Sequence, residues 1–239
     1  MNVLIVYAHP ATDSFNAALC AAAGDEARRA GHDVVVSDLY AQGFGAAGGP
    51  ADFLDAVPDP FHYQGAQKDA ALNERFAPEI AREQDRLRAA DLLILQFPVW
   101  WGGPPAILKG WIDRVNAYGV TYADGTRFNS GIFKGRRSLL SVTTGGTPRR
   151  FSDEGEYGPI DKVLWPIQQL FLGYLGFDLV PPQVSYAVAR STDAERAGMV
   201  DELRSRVRDL VEAPYEAKPI PAPKDLLAGV GNRDWSSKV

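Results

Sequence analysis

One cysteine, three histidines and no surplus of positive charge stand out among the 239 residues, and each shortage closes a class of explanation. With Cys20 alone, neither an intrachain disulfide framework nor a cysteine-only metal cage can form, which suits a reducing compartment. His9, His32 and His62 lack the helical i, i+4 pairing of a metal site and have no cysteine company, so no metal is expected. A formal net charge of −5 argues against a general attraction to nucleic acid, and any phosphate-binding surface must be local. No apolar run approaches the ~18 residues of a spanning helix, and the opening MNVLIVYAHP has no basic leader or cleavage signal. The expectation is a cytoplasmic protein with no transmembrane segment. Also missing are Gly-x-Gly-x-x-Gly, a Walker lysine and a Gly-x-Ser-x-Gly elbow, so a standard dinucleotide fingerprint, a nucleotide triphosphatase and acyl-enzyme chemistry lack support.

What is present is an alternation. Short apolar runs at Val3 to Tyr7, Val34 to Ser37, Leu92 to Phe97 and Ser138 to Thr143, with a fifth near Leu179 to Val184, read as buried strands. Helical spacing fills the intervals: Phe15, Leu19 and Ala22; Ile80 and Leu87; Ile107, Leu108, Trp111, Ile112 and Val115; Ile160 to Phe171, where Pro166 predicts a kink or a first turn; and Val200, Leu203, Val207 and Leu210. Such alternation predicts an α/β domain over 1–212, a doubly wound five-stranded parallel sheet with helices on both faces. The connections Ala41 to Ala77 and Tyr118 to Gly135 are far longer than such units usually need, and long loops in compact domains are often functional. From 213 to 239 the prolines predict an extended C-terminal arm, packed on the domain or on a dimer partner.

In an open parallel sheet, ligands bind beyond the carboxyl ends of the strands where strand order reverses. The first such loop, His9 to Asn16, runs straight into a helix with Asp13 or Ser14 as cap, an arrangement that suits an anion such as a diphosphate; simple capping is the alternative. The third, Phe97 to Pro105, puts Trp100 and Trp101 on a glycine- and proline-rich turn, suited to a flat heteroaromatic such as isoalloxazine. After the fourth strand, Thr143, Thr144, Gly145 and Gly146 offer hydroxyls and unobstructed N–H groups for the polar edge of such a ring.

LIVYAHPATDSFN at Leu4 to Asn16, FPVWWGGPPAILKGWIDRV at Phe97 to Val115, SVTTGG at Ser141 to Gly146, LWPIQ at Leu164 to Gln168 and PQVSY at Pro182 to Tyr186 together resemble the NAD(P)H:quinone oxidoreductase (DT-diaphorase) family. The resemblance implies a flavodoxin-like fold, a homodimer with sites at the subunit boundary, tightly held FAD, NADH or NADPH as co-substrate, and ping-pong reduction of quinones. It places the FAD contacts on His9, Ser14, Phe15, Asn16, Gln64, Pro98, Val99, Trp100, Trp101, Thr143, Thr144, Gly145, Gly146 and Arg196. Trp101, Tyr122, Phe151 and Tyr157 fall on the substrate side. Phe151 and Tyr157 stand where animal members carry a tyrosine and a histidine that help settle charge on the reduced flavin. Phe151 has no donor, and a phenol does not exchange protons near neutral pH as an imidazole does. Gly145, Gly146 and Tyr157 are therefore the catalytic candidates, with backbone N–H groups carrying most of the stabilisation. Other readings are a flavin-dependent azo- or nitroreductase, an electron carrier, and a regulatory subunit docking on a potassium-efflux transporter.

Overall fold

The computed structural model describes residues 1–228; the last part of the predicted arm, 229–239, lies outside the described residues. Strands β1 (Asn2–Tyr7), β2 (Asp33–Asp38), β3 (Leu92–Pro98) and β4 (Arg137–Thr143) form the body of a parallel sheet ordered β2-β1-β3-β4-β5. The expected single fifth strand is two short ones, β5 (Asp178–Leu179) beside the start of β4 and β6 (Gln183–Ser185) beside its end, so the sheet has six strands across five positions. Pro181 and Pro182 lie between them, and without N–H groups they cannot continue a ladder.

Alternate residues of each strand feed opposite cores. Val3, Ile5, Leu92, Ile94 and Leu139 meet α1 (Phe15–Arg29) and α6 (Asp193–Glu212) through Leu19, Ala23, Ala27, Leu203 and Val207. Leu4, Val6, Leu93, Leu95, Leu140 and Val142 pack with Ile80 and Leu87 of α3 (Pro78–Ala89), Leu108 and Trp111 of α4 (Ala106–Val115), and Leu164 of α5 (Ile160–Ile167). Ser14 caps α1 by accepting from Ala17 N, and Thr192 with Glu195 forms a capping box at α6. Pro166 does not start α5 but sits inside it, one residue before its end, and a π-helical stretch, Gln168–Gly173, follows directly.

The first long connection is built rather than slack. It contains α2 (Tyr63–Asn73), and Arg114 of α4 holds the stretch before it, donating to Asp52 Oδ1 (2.8 Å), the Gly45 carbonyl (2.7 Å) and Glu79 Oε1 (2.5 Å). Arg114 and Asp52 are both buried, and such a pair is tolerated when its remaining donors and acceptors are also satisfied; Tyr63 hydroxyl donates to Asp52. Between Ala213 and the short α7 (Pro223–Ala228), arginines from the sheet end hold the extended chain by its carbonyls. Arg137 takes Ala213 (3.0 Å) and Pro214, and Arg88 of α3 takes Pro221 (2.8 Å). Leu226 and Leu227 of α7 then pack on Tyr118 and Ala123.

Gly110 of α4 explains the glycine in the AILKGW run. A Cβ there would lie 2.2 Å from the Ala46 carbonyl oxygen, so the connection can approach α4 only over a bare backbone. Gly110→Ala is therefore expected to destabilise the protein by about 3 kcal/mol, because the obstruction is main chain and cannot rotate away. A shift of the urea midpoint with unchanged slope checks it.

Candidate active site

The order β2-β1-β3-β4-β5 reverses between β1 and β3, and the loops leaving β1, β3 and β4 surround one crevice. A buried side-chain chain draws them together. Gln96 Nε2 of β3 donates to Asn16 Oδ1 (2.9 Å), and Asn16 Nδ2 donates to Thr143 Oγ1 at the end of β4 (2.9 Å). Asn16 and Thr143, expected as cofactor contacts, thus spend these side-chain bonds on tying strands together.

In the first loop, His9 Nδ1 lies 3.1 Å from Ala11 N and 3.3 Å from the Ala11 carbonyl, so the ring is held against its own turn. The His9 and Trp100 rings lie 6.2 Å apart, so the loops after β1 and β3 meet. Phe15 packs into the α1 and α6 core. Pro98 is buried at the end of β3, and Val99 N donates to the Thr143 carbonyl (2.9 Å). The next turn is closed by reciprocal backbone bonds between Trp100 and Gly103 (2.9 and 3.0 Å), which force Trp101 into the left-handed region at φ 50°. The Trp101 side chain stands fully in solvent, at 106% relative exposure, an orientation that no packing explains.

Trp101, Val99, Gly102, Thr144, Gly145, Gly146, Phe151, Tyr157 and Val163 line one cavity of about 490 Å³, within the size range of small-molecule sites. No carboxylate is among its lining residues. Gly146 carries the Phe151 and Tyr157 rings so closely that a Cβ would come within 2.7 and 2.9 Å of them, whereas a Cβ on Gly145 would meet nothing. The Thr144–Gly146 loop is one-sided in its bonding. Its carbonyls are taken by Val188 N, by Arg190 Nη2, and by Ala187 N together with Thr144 Oγ1, yet the N–H groups of Gly145 and Gly146 find no partner among the described residues. Two free donors on a carbonyl-satisfied loop form an anion-stabilising edge.

Gln64 and Tyr122 are not in that cavity. They line a second depression with Gly48, Tyr63, Gln67, Ile112, Asp113 and Asn116. Burial raises Tyr122, so its phenol stays neutral through the physiological range. Arg196 does not line the main cavity either: it pairs with Asp193 (2.6 Å) and reaches the Val188 carbonyl (3.4 Å). Sequence reasoning passed over Val163, Arg190 and the rings that neighbour the expected Tyr122, namely Tyr118, Tyr174 and Phe128, in a run whose adjacent rings lie 5.5 to 5.7 Å apart. Tyr174 follows the π-helical stretch, which leaves no sequence period to detect. Arg136 and Arg137 lie at the opposite end of β4 from the cavity and are engaged by Asp91 and the arm.

A parallel sheet in this order, with a ligand-sized cleft at its carboxyl ends, defines a flavodoxin-like protein. The flavodoxin-like fold family matches residues 1–207. The ribosyldihydronicotinamide dehydrogenase (quinone) of Pongo abelii is 40% identical over 222 residues, covering 92% of this chain and 94% of that one. NAD(P)H dehydrogenase (quinone) 1 of Rattus norvegicus is 37% identical over 213 residues, 88% of this chain and 78% of that one. A Klebsiella pneumoniae protein provisionally described as a quinone reductase superposes with a TM-score of 0.85 at 38% identity, covering 90% of this chain and 86% of that one. The chain belongs to the flavodoxin-like NAD(P)H:quinone oxidoreductase family and is an oxidoreductase. Among the described residues no helix is long and apolar enough to cross a membrane.

Two substitutions separate scaffold from surface at this site. Asn16→Ala strands the Gln96 amide and the Thr143 hydroxyl and should cost ~1 to 3 kcal/mol of stability. Trp101→Ala removes a side chain that touches solvent and should stay within ~0.5 kcal/mol of the parent. Paired denaturation curves measure both.

Proposed function

We propose that the protein reduces quinones by two electrons at the expense of NADH or NADPH, with FAD held by residues 1–212. The observation that carries this reading is the pair of unpartnered N–H groups on Gly145 and Gly146 in a carboxylate-free cavity beside an unpacked tryptophan. When bound, the flavin supplies the hydride chemistry, accepting from the dihydronicotinamide and donating to the quinone.

The residues fit such a group. Gly102, Gly103 and Gly145 have open space where a Cβ would be, so a flat ring can approach the backbone. Val99, Trp100 and Trp101 supply apolar and aromatic surface, while Gly145 and Gly146 present backbone donors to the edge where negative charge gathers; Thr144 spends its N–H on the Ser185 carbonyl and its hydroxyl on the Gly146 carbonyl. The start of α1, with its free first-turn N–H groups, Ser14 and His9 Nε2, suits a diphosphate. Trp101, Phe151 and Tyr157 close the rim of a single cavity, which favours consecutive rather than simultaneous use by donor and acceptor, hence ping-pong order.

Gln64 and Tyr122 support a homodimer. They share no depression with Trp101 and Gly145, so they complete that cavity only if a second copy brings them, each protomer then carrying one half of two sites. We assign Gln64 and Arg196 to the far side of the FAD site, and Tyr122 to the acceptor wall, on the family resemblance alone.

Protein loaded with flavin should release FAD rather than FMN on heating, identified by chromatography, and should turn over small quinones in steady-state assays with NADH or NADPH. Release of FMN alone from a saturated preparation would overturn the adenine-side assignment. Light scattering at micromolar concentration should give twice the chain mass. Arg150 Nη1 donates to the Tyr157 hydroxyl (3.4 Å) and its guanidinium stands 5.8 Å from the ring centroid, so the phenol is a rim group rather than a buried donor. Tyr157→Phe should consequently slow flavin reduction by less than about tenfold, ~1.4 kcal/mol, in stopped-flow traces. A hundredfold loss with cofactor retained would make Tyr157 an essential donor.

A further inference from the structure

Arg190 sits in the short turn Val188–Arg190 that follows β6, exposed, and its Nη2 donates to the Gly145 carbonyl at 2.5 Å. The turn is fixed on the same loop by backbone bonds as well: Ala187 N to the Gly146 carbonyl (2.9 Å) and Val188 N to the Thr144 carbonyl (3.2 Å). These bonds hold the segment in place without the guanidinium. Among the described residues Arg190 has no carboxylate within ion-pair distance, unlike the neighbouring Arg196, which is matched by Asp193. Its charge is therefore uncompensated by protein at the point where it touches the loop.

The Gly145 carbonyl and the Gly146 N–H belong to one peptide unit. A cation bonded to the oxygen draws electron density through the amide and makes the N–H on its other end a stronger donor. Gly146 N is one of the two unpartnered donors of the cavity, and Gly145 N lies beside it. We propose that Arg190 is a positioning and polarising residue for this edge: through the Gly145–Gly146 amide it favours a ligand that gains negative charge there, and so raises the reduction potential of the bound flavin. This inference rests on the flavin reading above. It also accounts for how the site manages with Phe151 and Tyr157, neither of which supplies a cation.

Flavin-loaded Arg190→Leu and Arg190→Lys proteins, with the parent, would be equilibrated with reference dyes to obtain two-electron midpoint potentials, in parallel with titrations of the apoproteins by oxidised flavin. Removing the cation should disfavour reduction about tenfold, which is ~30 mV for a two-electron couple. Lysine should retain most of the parent value, oxidised-flavin affinity should hardly move, and the leucine deficit should shrink as salt rises, because an exposed charge is screened. An unchanged potential in the leucine variant overturns the proposal, as does an equal fall in both variants, which would mean that the contact only props the loop. If the parent protein takes up no flavin, the functional reading falls and this inference with it. A loaded parent with an indifferent Arg190 overturns the inference alone.

Discussion

One buried amide ties the first helix to two strands of the sheet. Asn16 accepts from Gln96 of β3 and donates to Thr143 of β4 while standing in the first turn of α1, so the loops after β1, β3 and β4 cannot move independently. Buried amides of this kind tolerate little displacement, since each lost partner leaves a desolvated polar atom. The crevice at the strand reversal is therefore held open at a fixed width, and the flexible-looking glycines beside it are anchored from beneath.

Around that anchor the polypeptide sorts its backbone groups by side. Segment 185–190 consumes the carbonyls of Thr144 to Gly146 and the N–H of Thr144, which leaves the amide hydrogens of Gly145 and Gly146 as the unspent valence of the site. The same economy explains the outer connection. Arg114 uses its donors on Asp52, Gly45 and Glu79, and Gly110 lets that chain lie against α4 without a side chain between. Gln64 and Tyr122 are carried on the structure so pinned, in a depression whose lining shares no residue with the main cavity.

Much of this was legible in the residues. Short apolar runs marked β1 to β4, whose residues feed cores on both faces, and helical apolar spacing marked α1, α3, α4 and α6, each of which buries one face, because burial selects residue type. The tryptophan turn and the Thr-Thr-Gly-Gly loop were recognisable as site loops for a different reason: their glycines and aromatics suit neither core nor ordinary surface. The fifth strand position, read near Leu179 to Val184, is present but not continuous, because the missing N–H groups of Pro181 and Pro182 split it into β5 and β6. The run through Pro166 gave no hint of a π-helical widening, since a single π-helical stretch of six residues is too short to set a period of its own.

By itself the sequence determined the class of fold, the three loops that converge and the absence of a dinucleotide fingerprint, all of which follow from local preference and burial pattern. Only the tertiary structure decided that Asn16 faces inward, that Trp101 stands clear of the core, that Gln64 and Tyr122 occupy a separate depression, and that Arg190 meets Gly145. Those are relations between segments distant in the chain. A side chain's partner there is fixed by how sheets and helices pack, a long-range outcome that residue type and spacing do not encode locally.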